Sequence, residues 1–554
     1  PTGVFTDKTH SERYTRKWDM QYSPSVCASC SVGCNVSPGE RYGEIRRIEN
    51  RYHGDLNGYF LCDRGRFGYG YTNLKDRPRR ALVNGQSAAG DVALAAARTA
   101  INGANKTIAI GSPRASVEAN YALRELVGAA NFHDGHGVAE GALVKLALAI
   151  VRDGPVRAST ITEIESADAV LVLGEDVTAT APRIALALRQ AARGKSQALA
   201  AEKKVAEWQA IALADLLQRD RYPVFVASVD ATRLDDIAQQ TLRAAPEDLA
   251  RLGFAVAHAL DASSPAVNGL DARTAELAKS IADALAKASK PLIVSGTGAG
   301  SAAVMQAAAN IAWALKAKTA DTGLVLTLPE ANSFGLAMLD PQPLSAALAA
   351  LESGDADTLV VLENDLERRA PKAALEAALK NVKNLIVIDH SASATTARAQ
   401  VVLPAATVFE GDGTLINYEG RAQRHFQVFD PTYYDASIGL VESWRWLADL
   451  EGASGWKILD DVTVACAQAV PALAGIVSAA PNAAFRIDGM KIAREPHRYS
   501  GRTAMRANQS VHEPRQPQDA DTALSFSMEG YNGVGSPDRP GALLPYAWAP
   551  GWNS

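Results

Sequence analysis

Short runs of aliphatic and β-branched residues recur through the middle of the chain. Each is followed by a Gly- or Pro-marked turn and then by an Ala-rich stretch with helical spacing. Thr107–Ile110 runs into the turn 111–116 and a helix at Val117–Val127; Ala169–Leu173 runs into 174–178, and 291–295 into 296–301. Thr358–Leu362, 385–389 and 223–228 are three more runs of the same kind. Runs that are apolar throughout, rather than alternating, mark strands covered on both faces. Their alternation with helices predicts doubly wound, mainly parallel sheets. Six such strands suffice for two α/β domains.

The pattern fails at both ends. Residues 1–24 are polar without sustained periodicity and read as a linker. In 404–431, a turn at Glu410-Gly-Asp-Gly413 precedes expected strands at 414–417 and 426–429. From 476 onward the chain is rich in Pro, Gly, Arg and Asn, as in a segment that wraps a partner or lies across its own domains.

The stretch 27–65 carries the chemistry. Four of the five cysteines, Cys27, Cys30, Cys34 and Cys62, fall within it with the spacing C-x2-C-x3-C-x27-C. Three thiolates from one tight loop and a fourth from a separate segment suit a [4Fe–4S] cube, in which each iron takes one thiolate. Tetrahedral zinc also accepts four cysteines, but usually as two C-x2-4-C knuckles, and Cys62 stands alone. Cys466, in an Ala/Val helix, reads as a small buried apolar residue. Arg41, Arg46, Arg47, Arg51 and Arg64 could balance a cluster's charge or form a solvated basic face. Arg64, in the Gly/aromatic turn after Cys62, is placed to reach the cluster or something beyond it.

The strand-end turns, where ligands bind in such sheets, are acidic at Glu175-Asp176 and at Glu363 with Asp365. Carboxylates there repel a pyrophosphate. The sequence at 296–301, GTGAGS, puts Ser301 where a dinucleotide loop needs its third Gly, so a plain tight turn is expected. His133, Asp134 and His136 invite a metal reading, but three ligand types within four residues tend to face different ways. A surface loop is expected at 131–141. No hydrolase motif is present.

With 554 residues the chain exceeds one core. It is 47% hydrophobic and 21% charged, with a formal net charge of −5, which gives no electrostatic case for nucleic acid. No run of about 18 apolar residues is present, and no signal peptide is expected. Cysteines committed to metal rather than to pairs point to a reducing compartment. The opening Pro-Thr-Gly and the irregular closing segment lead to the expectation of a central piece of a larger subunit.

Taken in order, further segments form a set. They are Cys62-Asp-Arg-Gly65, Ser166-Ala-Asp-Ala-Val-Leu-Val-Leu-Gly174, Glu363-Asn364, Ala399-Gln-Val-Val-Leu-Pro-Ala-Ala406, Glu410-Gly-Asp-Gly-Thr414 and Asn417-Tyr-Glu-Gly-Arg-Ala-Gln-Arg424. This set resembles the molybdopterin oxidoreductases and their relative, the large iron–sulfur subunit of bacterial respiratory complex I. Active molybdenum enzymes of the family usually supply a Cys, selenocysteine, Ser or Asp ligand near 131–141, where this chain has no Cys. Many relatives show G-x-N where this one has Gly174-Glu-Asp176. The segments 37–44, 494–506 and 511–519 look like the complex I subunit.

The resemblance implies an α/β fold with a small cluster-binding domain at 25–80 after a linker from a preceding iron–sulfur region. It implies a split α/β domain at 81–130 and 285–450, an inserted α/β domain at 131–284, and a helical then extended segment at 451–554. It further implies one [4Fe–4S] cluster on Cys27, Cys30, Cys34 and Cys62, no molybdenum, and a part in electron transfer from NADH to quinone without a substrate site in this chain. The implied partners are the flavin-binding and iron–sulfur subunits of the peripheral arm. The implied location is the cytoplasmic face of the bacterial inner membrane, reached through those partners without insertion. The alternative is a molybdopterin-dependent enzyme of the formate dehydrogenase or nitrate reductase type.

Overall fold

A computed structural model describes Thr15, residues 20–479 other than 207, 218–219 and 453–454, and two short strands at Phe526–Ser527 and Gly530–Tyr531. The readings made above for 494–506, 511–519 and most of 1–19 lie outside the described residues.

The first unit is a four-stranded antiparallel sheet made of β1 (Gln21–Tyr22), β2 (Ser25–Val26), β3 (Asn35–Arg41) and β4 (Glu44–Asn50), with β1, β2 and β4 all pairing with β3. The pairing of Gln21 with Glu40 shows that the end of the expected linker belongs to this sheet. Tyr42 and Gly43, with φ of 59° and 78°, close the β3–β4 hairpin in the backbone twist that right-handed strands favour.

The second sheet has seven strands: β5 (Ala81–Val83), β6 (Gln86–Ala88), β7 (Thr107–Ile110), β8 (Phe132–His133), β14 (Thr358–Leu362), β15 (Asn384–Asp389) and β16 (Val401–Pro404). Their order is β6-β5-β16-β15-β14-β7-β8, parallel except where β5 joins β16 and β6. The third sheet runs β11-β10-β9-β12-β13 and is parallel throughout. Its strands are β9 (Ala169–Leu173), β10 (Val224–Ser228), β11 (Gln240–Arg243), β12 (Pro291–Gly296) and β13 (Gly323–Thr327). A last hairpin joins β17 (Gly413–Ile416) to β18 (Ala422–His425).

Burial explains the unbroken apolar runs. Ile108, Ile110, Leu359, Val361, Leu385 and Val387 point to one face of the seven-stranded sheet, under the helices Leu344–Glu352 and Lys372–Leu379. Ala109, Val360, Leu362, Ile386 and Ile388 alternate with them and enter the main core on the other face. Each fully buried aliphatic side chain stabilises the fold by about 1.5–3 kcal/mol.

Three boundaries differ from the sequence reading. β12 pairs with β9, and β13 with β12, so the sheet that contains β9 extends to Thr327, beyond the 284 expected for the inserted unit. β8 pairs with β7, so 132–133 stay with the split unit. The second strand after Glu410 is 422–425 rather than 426–429. The turn 417–420, with Gly420 at φ +77°, reverses the chain early, and Val428 and Phe429 fill the core beneath the cysteine-bearing sheet instead.

Candidate metal centre

The β2–β3 connection carries Cys27, Cys30 and Cys34, and Cys62 arrives on the turn that starts the helix Asp63–Phe67. Cys27 N–H donates to Cys34 O at 2.8 Å, which closes the loop on itself. Gly33, at φ +68°, takes a backbone conformation that side chains resist, and an added Cβ there would lie 2.7 Å from Gln423 Oε1. The β17–β18 hairpin grips the loop from outside. Gln423 Nε2 donates to Gly33 O (2.9 Å), Asn417 Nδ2 to Val32 O (3.1 Å), and Tyr418 N–H to Ser31 O (2.9 Å).

Asn57 joins the two cysteine-bearing segments. It is fully buried, accepts from Asn35 N–H at 3.0 Å through Oδ1, and donates through Nδ2 to Asn35 O and Arg51 O. Gly65 N–H donates to Cys62 Sγ at 3.4 Å, and a Cβ on Gly65 would lie 3.2 Å from Cys27 Sγ. The fourth cysteine's segment therefore packs directly over the first thiol.

Burial pushes the Cys27, Cys30 and Cys34 thiols up, Cys30 to about 12, and the neighbouring cysteines push each of them further. Three buried thiols in one another's field cannot all ionise at neutral pH without a strong positive centre between them, which a metal supplies. The donor set, four thiols with no carboxylate or imidazole among them, is that of an iron–sulfur cluster or a zinc tetrahedron. Among the described residues, no three His, Cys, Asp or Glu side chains form a group that could hold one ion.

The basic residues divide differently from the sequence reading. Arg46 pairs with Glu44, Arg47 with Glu49, and buried Arg51 donates to Ser37 Oγ. Arg64 reaches Ser29 O at 3.3 Å and the carbonyl of Ala179, so it ties the cysteine loop to the inserted unit. Sequence reasoning missed Arg183. On the helix Pro182–Lys203, it donates to Asn57 O (3.1 Å) and Glu165 (2.7 Å), and its charge acts on Cys34. Nothing local in the sequence marks it, because its role comes from a contact 126 residues away.

Two strand-end turns are filled by the chain itself. Glu175 lies under the 296–301 loop, where Gly298 N–H donates to Oε1 at 2.9 Å and Thr327 Oγ1 does so at 2.5 Å. A Cβ on Gly298 would lie 2.2 Å from Glu175 Oε2. Asn364 Nδ2 bridges Gly111 O (3.1 Å) and Gly135 O (2.8 Å) and closes the β7 end. The 131–141 loop is not the surface loop expected. His133, Asp134 and His136 are buried, because Asp134 Oδ1 binds His136 Nδ1 at 2.7 Å and His136 Nε2 binds Ser333 Oγ at 3.0 Å. Burial opposes the Asp134 carboxylate, but the hydrogen bond and charge of His136 prevail and hold it below the ordinary range. The three groups lie in Ser–His–Asp order, yet they are sealed in the interior and serve to pin the loop. Cys466 is fully buried and apart from the other four.

A cleft remains open beside the cysteine loop. A cavity of about 380 Å³ separates the cysteine loop from the carboxyl ends of β7, β14, β15 and β16, with Cys27 and Arg64 on one side and Arg114, Glu363 and His390 on the other.

Residues 20–74 match the molybdopterin oxidoreductase Fe4S4 domain and residues 247–435 the molybdopterin oxidoreductase domain. The acetylene hydratase of Pelobacter acetylenicus shares the fold, with a TM-score of 0.57 at 13% identity over 80% of this chain and 71% of that one. Over those two regions the chain is similar to the molybdopterin oxidoreductases. It is similar along its whole length to the G-subunit of NADH-quinone oxidoreductase, at 58% identity over 560 residues with Pseudomonas putida and 56% over 566 residues with Escherichia coli K12. It spans 62% of the length of each of these relatives.

Proposed function

We propose that this chain is the cluster-bearing part of the large iron–sulfur subunit of an NADH:quinone oxidoreductase, with Cys27, Cys30, Cys34 and Cys62 holding one [4Fe–4S] cluster and no molybdenum bound. The observation that carries the reading is the pairing of four gathered thiols with strand ends plugged by Glu175 and Asn364. When bound, such a cluster takes up and releases one electron at a time.

The chain's own residues bury the thiols, fix the loop through Gln423, Asn417 and Asn57, and bring the charges of Arg64 and Arg183 to its flanks. The partners are the flavin-binding and iron–sulfur subunits of the peripheral arm, and association with the cytoplasmic face of the inner membrane comes through them. No helix among the described residues is long and apolar enough to cross a membrane.

The open cavity beside Cys27 favours a second reading, a pterin-dependent oxidoreductase. Metal analysis of the anaerobically purified protein separates the two. About four irons per chain without molybdenum is expected; stoichiometric molybdenum with pterin overturns the first reading.

A further inference from the structure

Across the cavity from Cys27 stands a compact group of proton-binding side chains that the preceding reading does not use. Glu363 follows β14 with φ at +38°, a left-handed conformation that costs a non-glycine residue on the order of 1–3 kcal/mol. The backbone is held there by Glu363 N–H donating to Ile388 O (2.7 Å) and Ser112 Oγ donating to Glu363 O (2.8 Å). Its side chain accepts from Ser443 Oγ. His390 Nδ1 lies 3.7 Å from Glu363 Oε2 and 3.7 Å from Asp389 Oδ1, and it is buried with no hydrogen-bond partner. Trp444 Nε1, also on the cavity wall, is buried and unpartnered too. Two carboxyls and an imidazole thus meet with no arginine ion-paired to any of them among the described residues.

The charges around this group are already committed. Arg77 donates to His390 O (3.2 Å) but pairs with Glu410 at 2.6 and 2.8 Å. Arg114 pairs with Glu330 at 2.6 and 3.2 Å, and Arg369 also binds Glu330. Glu442 pairs with Arg445, and Asp365 accepts from Thr395. Tyr71 stacks on His390 at 5.7 Å, and Asp412 and His425 lie on the far wall. Among the described residues lining the cavity, Arg114, opposite the cysteine loop, is paired with Glu330, and Arg64 stands on the loop's own side with its charge fixed.

We propose that Glu363, Asp389 and His390 form a protonation site coupled across this cavity to the oxidation state of the cluster. For each electron that the cluster accepts from a one-electron donor, the group binds one proton drawn from solvent. No bond other than the new O–H forms, and the net charge of the site is unchanged. The inference rests on the reading of the four cysteines as cluster ligands. Burial pushes Glu363 up to about 8 and Asp389 up to about 7, the latter against the opposing charge of Arg114, while burial followed by the Arg77 and Arg114 charges pushes His390 down to about 3. The carboxyls therefore change their proton content close to neutrality. Extra negative charge nearby raises them further.

The sign follows. Below about pH 7 both carboxyls are protonated in either oxidation state, and the reduction potential does not depend on pH. Above it, reduction draws in a proton, and the potential falls by up to 59 mV for each tenfold drop in proton concentration. The test is an EPR-monitored redox titration of the anaerobically prepared full subunit, with dithionite and mediator dyes, from about pH 6 to pH 9.5. The unmodified protein is expected to show the falling potential, and Glu363→Gln with Asp389→Asn to flatten it with the EPR signal and iron content retained. A flat profile in the unmodified protein, or an undiminished slope in the variant, overturns the proposal.

If the double variant does not fold, infrared difference spectra of the unmodified protein decide the matter. Reduction at pH 8 should produce a new protonated-carboxyl C=O band, and its absence overturns the proposal. A preparation without cluster iron defeats the ligand reading and this inference together. A normal EPR signal with no pH response defeats this inference alone.

Discussion

The guanidinium of Arg64 donates to the carbonyl of Ala179, so the turn carrying Cys62 is latched to the short helix Val177–Thr180 of the inserted unit. The neighbouring contact from Arg183 to Asn57 O crosses the same seam. Two arginines thus hold the cysteine-bearing unit against the inserted one.

Replacing Arg183 with Gln removes a positive charge that acts on Cys34. A cation beside a redox centre favours the reduced, more negative state. The cluster's potential in Arg183→Gln should therefore fall, by roughly tens of millivolts, in a redox titration. An unchanged potential would show that Arg183 serves packing alone.

Cys62→Ser removes one of the four proposed cluster ligands and should abolish or strongly alter the EPR signal of the reduced protein. Because Asn57 and Gly65 connect the Cys62 segment to the loop, limited proteolysis should also cut faster between 27 and 62. A loop as resistant as before would argue against any anchoring role for the cluster.

Glu410 and Arg77 form a buried pair at 2.6 and 2.8 Å, both nearly inaccessible. Glu410→Ala leaves the Arg77 charge uncompensated and should cost about 3–5 kcal/mol of stability in denaturant unfolding. A loss below about 1 kcal/mol would mean that water or a moved side chain replaces the carboxylate.

Glu363 has a pH signature in stability as well. Its folded-state pKa stands at about 8, against an ordinary 4.5. The folded protein therefore holds the proton more tightly, and the stabilisation is full below about pH 4.5 and lost as pH rises toward 8. The loss is at most about 5 kcal/mol. Glu363→Gln mimics the protonated form and should flatten that decline in unfolding curves taken from about pH 4 to pH 9. A decline of the same size in the variant would place the titrating group elsewhere.

Ser333→Ala should cost about 1–3 kcal/mol by leaving His136 Nε2 buried without a partner. Iron content should not change. Loss of the cluster signal in this variant would contradict the purely structural part assigned to the Asp134–His136–Ser333 chain.

Patterns that repeat locally were legible in the sequence: the cysteine spacing, the apolar strands at 107–110, 169–173, 358–362 and 385–389, and the burial of Cys466. What escaped depends on contacts between distant residues. The reach of the five-stranded sheet to Thr327 is decided by β12 pairing with β9 and β13 with β12. The burial of His133, Asp134 and His136 is decided by Ser333, 197 residues beyond His136. The β5–β6 hairpin was readable and overlooked. Its Asn84-Gly85 turn, with φ of 51° and 76°, carries the commonest short-hairpin signal. The acidic strand ends were noticed, but only the packing shows that Glu175 plugs its own loop while Glu363 faces an open cavity.

Asn57 bears on how the four cysteines are held. Its hydrogen bonds to Asn35 and Arg51, with the Cys27–Cys34 hydrogen bond beside them, run between protein atoms and tie the Cys62 segment to the loop that carries the other three cysteines. An occupant bound to all four thiols would close a second tie across the same two segments, so the polypeptide orients the cysteines and the occupant fixes them.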